Sequence, residues 1–125
     1  MGRELKSFED LDVWQMARQV VNEVYSLTRD TQLGKDLGLS GQLQRAAVSI
    51  MSNIAEGFER IHVQEKIQFY NMSRASCGEV RSLLCVVADN YSGLAETAGK
   101  LRDLVIQTGR LLTGLIQSTH RRKGV

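Results

Sequence analysis

The side chains that could do chemistry in this sequence are few, and one set is spaced to act together. Arg45, Ser49, Asn53 and Glu56 follow one another at three and four residues, which puts them on one face of a helix. Around them, from Leu37 to Ala55, Arg45 is the only charged residue. A charge on so apolar a segment is partly buried, and a buried charge must be paired or hydrogen-bonded. Arg45 and Glu56 are about three turns apart, so they cannot meet within one helix. Each needs a partner from elsewhere, and Arg74, Glu79 and Arg81 can supply one. The set is then either an ionic network that fixes helix register or a surface that meets a ligand or nucleic acid.

Signatures of catalysis and metal binding are sparse. There are two histidines, His62 and His120. There is no glycine-rich phosphate loop, paired-cysteine metal motif or nucleophile elbow. Glu59 and His62 form one Glu-x-x-His, whereas a di-metal bundle uses that motif twice, with a glutamate from each of two further helices. No catalytic residue, cofactor or metal site is expected, and the chain is read as non-enzymatic. Cys77 and Cys85 lie on one predicted helix, separated by a rise of roughly 12 Å. A disulfide needs Cα atoms under ~7 Å apart, so these two cannot pair within that helix. They read as small buried hydrophobes in a cytoplasmic protein.

Charge is balanced overall, at +2 over 125 residues, but not along the chain. Residues 1–30 hold four basic and six acidic side chains, and residues 94–125 hold six basic and two acidic. The excess gathers at His120-Arg121-Arg122-Lys123. Such a tail either touches nucleic acid or is a helix terminus favoured by its dipole. No apolar run reaches the ~18 residues of a membrane span. The stretch from Met1 to Asp12 lacks a signal-type apolar core, so no membrane association is expected.

These side chains must be positioned by helices. The sequence contains no proline, so no helix interior is broken. Ser7, with Asp10 three residues on, can cap a first helix over about 8–29. Leu11, Trp14, Ala17, Val21, Val24 and Thr28 form its apolar face. Gly34 and Gly38 mark the following connection. A second helix spans about 40–56, with Gly57 as its left-handed cap. It lacks the polar face of a surface helix, so a second subunit is expected to cover the side that includes Ala47. A third helix, about 63–90, carries an a/d-like seam of Tyr70, Ser73, Cys77, Val80, Leu84, Val87 and Tyr91. A fourth, about 94–120, carries Leu101, Leu104, Val105, Thr108, Leu111, Leu112 and Leu115 on one side. Its Gly99, Gly109 and Gly114 each cost about 1 kcal/mol against alanine, so a close helix approach is expected there. Short links make an all-α, antiparallel up-and-down four-helix bundle in one domain over 1–125.

The run Gln42–Arg60, QLQRAAVSIMSNIAEGFER, resembles the signature of a four-helix-bundle family that includes proteins encoded in intervening sequences of 23S ribosomal RNA genes. Trp14, Ala17 and Tyr25 match the family's first helix, Gly38-Leu39 its entry to the second, and Phe69, Ser76 and Glu79 its third. The resemblance covers about residues 8 to 92. Met51 stands where the family usually has proline, Thr31-Gln32 where it has Phe-Pro, and Leu37 where it has an aromatic. The missing proline implies a weaker bend in the second helix. The resemblance implies a left-handed bundle assembled into a homo-oligomeric ring, a pentamer, without enzyme activity. It also implies similarity to the accessory proteins of diversity-generating retroelements, which assist a reverse transcriptase and bind nucleic acid.

Two roles follow as expectations. One is RNA or DNA binding through basic surfaces, with Arg45, Arg60, Arg74, Arg81, Arg110, Arg121, Arg122 and Lys123 as the cations. Against it, the chain offers no aromatic stacking platform. The other is a scaffold or accessory subunit for a protein partner such as a polymerase, through an apolar patch or an acidic one around Glu9, Asp10 and Asp12. Arg45, Ala47, Ser49, Asn53, Glu56 and Glu79 are the candidates for an oligomer interface or a structural network.

Overall fold

Apolar residues recurring at three and four, with no proline to interrupt them, produce four helices in a computed structural model that describes residues 5–122. These are α1 (Asp12–Asp30), α2 (Leu37–Glu59), α3 (Val63–Asn90) and α4 (Ala95–Arg122). Short 3-10 turns at Phe8–Asp10, Gln32–Lys35 and Ser92–Leu94 complete the order, and no strand occurs among the described residues. Each helix packs on its sequence neighbour, and α4 returns to α1, while α1 and α3, and α2 and α4, lie across the diagonals. Contacts between α2 and α3 run in opposite senses: Ser49 meets Ser76, Ile50 meets Ser73, and Gly57 meets Tyr70. The two helices are therefore antiparallel. No helix among the described residues is long and apolar enough to cross a membrane.

The core lies along the bundle axis. Val20, Val24, Leu43, Ile50, Ile54, Val80, Leu84, Val87, Val105 and Leu112 are wholly buried, each contributing roughly 1.5–3 kcal/mol of transfer free energy. The expected α3 seam is buried from Tyr70 to Val87, and Tyr91 lies just past the helix as its C-cap. On α4, Leu101, Val105, Thr108 and Leu112 are buried, but Leu111 faces outward.

Helix ends differ from expectation for local reasons. The first helix is divided. The Asp10 carboxylate accepts from the backbone N–H groups of Lys6 and Ser7 at 2.9 and 3.2 Å, closing the 3-10 turn. Leu11 is then extended and buried, so α1 begins only at Asp12. α2 starts three residues before the expected Ser40, because Asp36 caps it by accepting from the Leu39 N–H at 3.2 Å. Gly38 therefore lies inside a helix and not in the connection. Gly57 does not end α2, which continues to Glu59, and no described glycine has positive φ. Gly57 instead admits a neighbour: a Cβ there would meet the Tyr70 ring at 2.6 Å. The close approach expected at Gly99, Gly109 and Gly114 is absent among the described residues, where a Cβ at any of them would meet nothing within 4 Å. Thr31 takes a capping role where the resembling family has phenylalanine. Its hydroxyl donates to the Leu27 carbonyl at 2.6 Å and accepts from the Leu33 N–H at 3.1 Å.

Candidate nucleic-acid interface

Seven residues make almost two helical turns, so Arg74 and Arg81 lie on one side of α3 about 10.5 Å apart along its axis. That side faces α4, and Arg110 comes across from it. The three arginines line one groove of about 530 Å³ between α3 and α4, together with Asn71, Ala75, Cys77, Gly78, Val105, Ile106, Gly109 and Thr113. No carboxylate among the described residues lines it. No described carboxylate lies within 4.0 Å of any of the three guanidinium groups. All three arginines are exposed. Like charges converge there without internal neutralisation, so the groove is a site of positive potential suited to an anion. Cys77 lies buried beneath it. Burial pushes its thiol up to about 11, against the opposing pull of Arg81 and Arg74, so it stays protonated and adds no negative charge.

The other expected cations are scattered. Arg45 is exposed on the outer side of α2, where its guanidinium lies back along the helix over Gly41. Arg60 is engaged locally: its guanidinium sits 4.7 Å over the Phe69 ring and 3.4 Å from the Glu56 carboxylate. Arg121 and Arg122 are exposed in the last turn of α4, and Lys123 lies outside the described residues. Arg122 also lines a smaller pocket with Lys66 and Tyr70. Burial lowers the Lys66 pKa there, with Glu59 opposing and Arg122 adding to the effect. Lys66 donates to the Phe58 carbonyl at 2.7 Å. Glu59 and His62 are both exposed at the α2–α3 link.

The ionic network expected between α2 and α3 does not form. No ion pair among the described residues joins these helices, because Arg45, Glu56 and Glu79 are all exposed and water solvates them. Register is held by a neutral chain instead. The Asn53 amide donates to the Ser49 carbonyl and hydroxyl at 2.9 and 3.0 Å. The Ser49 and Ser76 hydroxyls lie 2.8 Å apart, and Ser76 donates to the Met72 carbonyl at 3.1 Å. Below them, Ser73 donates to the Ile50 carbonyl at 2.6 Å. Ala47 is wholly buried in the chain's own core and does not belong to the outer face. That face carries Gly38, Gln42, Arg45, Val48 and Ser52, with Arg45 its only charge between Gly38 and Ala55.

Sequence reasoning named the three groove arginines without placing them together, and it missed Asn71, Gly78, Gly109 and Thr113 as groove residues. The signal was present in the interval Arg74–Gly78–Arg81, where two cations flank a residue without a side chain on one helical face.

A search of curated proteins finds no match to the chain. A family model described as 23S rRNA-intervening sequence protein matches residues 9–114. That span runs from the first 3-10 turn through most of α4 and takes in the α2 signature and all three groove arginines. The chain therefore belongs to the 23S rRNA-intervening sequence protein family.

Proposed function

We propose that the protein is a non-enzymatic, cytoplasmic homo-oligomer, a pentameric ring, that binds nucleic acid through the α3–α4 groove. The observation that carries this reading is the convergence of Arg74, Arg81 and Arg110 on one recess with no carboxylate among the described residues of its lining. Guanidinium groups pair with phosphate in fork geometry, and a ring repeats a weak site until it binds strongly. The outer face of α2 holds one charge, Arg45, between Gly38 and Ala55 and leaves Val48 39% exposed, which supports a subunit contact there. Covering α2 leaves the α3–α4 side open, since α2 and α4 lie across the diagonal. Two free cysteines suit a reducing compartment.

The test is binding to structured RNA and to single- and double-stranded DNA across a salt series. Affinity should fall linearly with log salt. Arg74→Ala/Arg110→Ala should bind more weakly with a flatter slope, and Arg121→Ala/Arg122→Ala should change both less. Absence of binding at low salt in the wild-type protein would rule the reading out.

A second reading, an accessory subunit for a protein partner such as a polymerase, is favoured by Ile61, a branched aliphatic left 87% exposed in the α2–α3 link. It requires a purified polymerase to bind after nuclease treatment and to release Ile61→Ser.

A further inference from the structure

The shape of the groove narrows what can occupy it. Neighbouring helices pack with axes about 8–10 Å apart, and the recess between α3 and α4 is deepened where Gly78 and Gly109 leave their backbones bare. A Cβ at either position would meet nothing within 4 Å, so both glycines open onto free space. A recess of about 530 Å³ is small beside a duplex, whose major groove alone is about 12 Å wide, so a duplex would meet its rim, while the slimmer backbone of a single strand suits the recess itself. The lining contains no aromatic residue, so bases gain no stacking surface inside. The bare backbones at Gly78 and Gly109 leave room for a sugar, and the exposed arginines suit the flanking phosphates.

We propose that the α3–α4 groove seats the sugar–phosphate backbone of a single nucleic-acid strand, with phosphates on Arg74, Arg81 and Arg110 and the bases turned outward. The proposal rests on the nucleic-acid reading above and adds strand form and orientation to it. Phosphate contact without base contact is sequence-independent, and bases held outward remain able to pair with a second strand.

Two measurements test it on the full-length protein. Gly109→Leu fills the recess while leaving every arginine in place. Its Cβ has open space in the chain, so circular dichroism should show an unchanged helical fold. Single-strand affinity should fall by about tenfold or more, in the range expected when phosphate contacts are lost, and by more than duplex affinity does. In the second measurement, an oligonucleotide with a run of abasic sugars should bind the wild-type protein as well as the intact strand does. A folded Gly109→Leu protein with wild-type single-strand affinity, or a weakly bound abasic strand, would overturn this inference and leave the nucleic-acid reading standing. Wild-type protein that binds no nucleic acid at low salt would overturn both.

Discussion

The hydroxyl of Tyr91 donates to a carboxylate oxygen of Asp36 at 2.8 Å, across 55 residues of sequence. The other oxygen of Asp36 caps α2 through the Leu39 N–H. One carboxylate thus ties the start of α2 to the turn between α3 and α4. The hydrogen bond to Asp36 raises the Tyr91 pKa, with burial and the repulsion of two negative charges adding to it. An unfolded tyrosine ionises near about 10. The stabilisation from this contact is therefore complete below that pH and is lost as pH rises through the higher folded value. Tyr91→Phe should melt at a lower temperature than wild type near neutral pH. The gap should close as pH climbs above about 10. A gap that persists after the Tyr91 hydroxyl has ionised would show that its bond to Asp36 is not what the substitution removes.

Gly57 and the glycines of α4 should respond oppositely to alanine. At Gly57 a Cβ would meet Tyr70 ring carbons at 2.6 and 2.8 Å and the Lys66 carbonyl at 3.1 Å. Tyr70 is buried and cannot swing away, so Gly57→Ala should destabilise by about 1–3 kcal/mol, the usual cost of overpacking. At Gly99 and Gly109 nothing is near. Alanine there should gain up to about 1 kcal/mol from helix propensity. Urea unfolding of the three variants decides the matter, and a neutral Gly57→Ala would mean that α2 and α3 separate there without penalty.

That contrast shows what sequence could reveal. Periodicity located the four helices and the α3 seam because burial imposes a repeat of three and four on residue type. It could not tell a glycine that ends a helix from one that admits a ring, since both are simply residues without a Cβ. From sequence alone Gly57 therefore reads as a cap, and Gly38 reads as loop, which hides Asp36 as the α2 cap. The groove was half-legible: the arginines carry charge wherever they stand, but convergence of Arg110 on Arg74 and Arg81 depends on the register between α3 and α4. The supposed ionic network failed because Arg45 and Glu56 reach water from a helix whose apolar residues crowd the other side.

The polar chain between α2 and α3 should behave as a coupled unit. The Ser49 and Ser76 hydroxyls share one hydrogen bond in which either can donate, and the Ser76 hydroxyl also lies 3.1 Å from the Met72 carbonyl. Asn53 then donates to Ser49. Removing either serine breaks the same link, so the double variant should cost less than the two single variants together. A cycle of Ser49→Ala, Ser76→Ala and the pair should show coupling of about 0.5–1 kcal/mol in denaturant unfolding. Strict additivity would mean that solvent replaces the bond on this half-buried surface.

The proposed self-association can be tested apart from folding at two neighbouring positions on α2. Ala47 is wholly buried inside the chain, whereas Val48 is 39% exposed on the outer face. A glutamate at position 47 would place an unpaired charge in the core, at several kcal/mol, so Ala47→Glu should lose its helical signal and its cooperative melt. A glutamate at position 48 can reach water in the monomer but not beneath a second subunit. Val48→Glu should keep wild-type helicity while its sedimentation falls to that of a single chain, and its nucleic-acid affinity should drop as the linked grooves separate. A Val48→Glu protein that sediments like wild type would place the subunit contact on another face. Wild-type protein that sediments as a monomer would remove the ring altogether and leave each groove to bind alone.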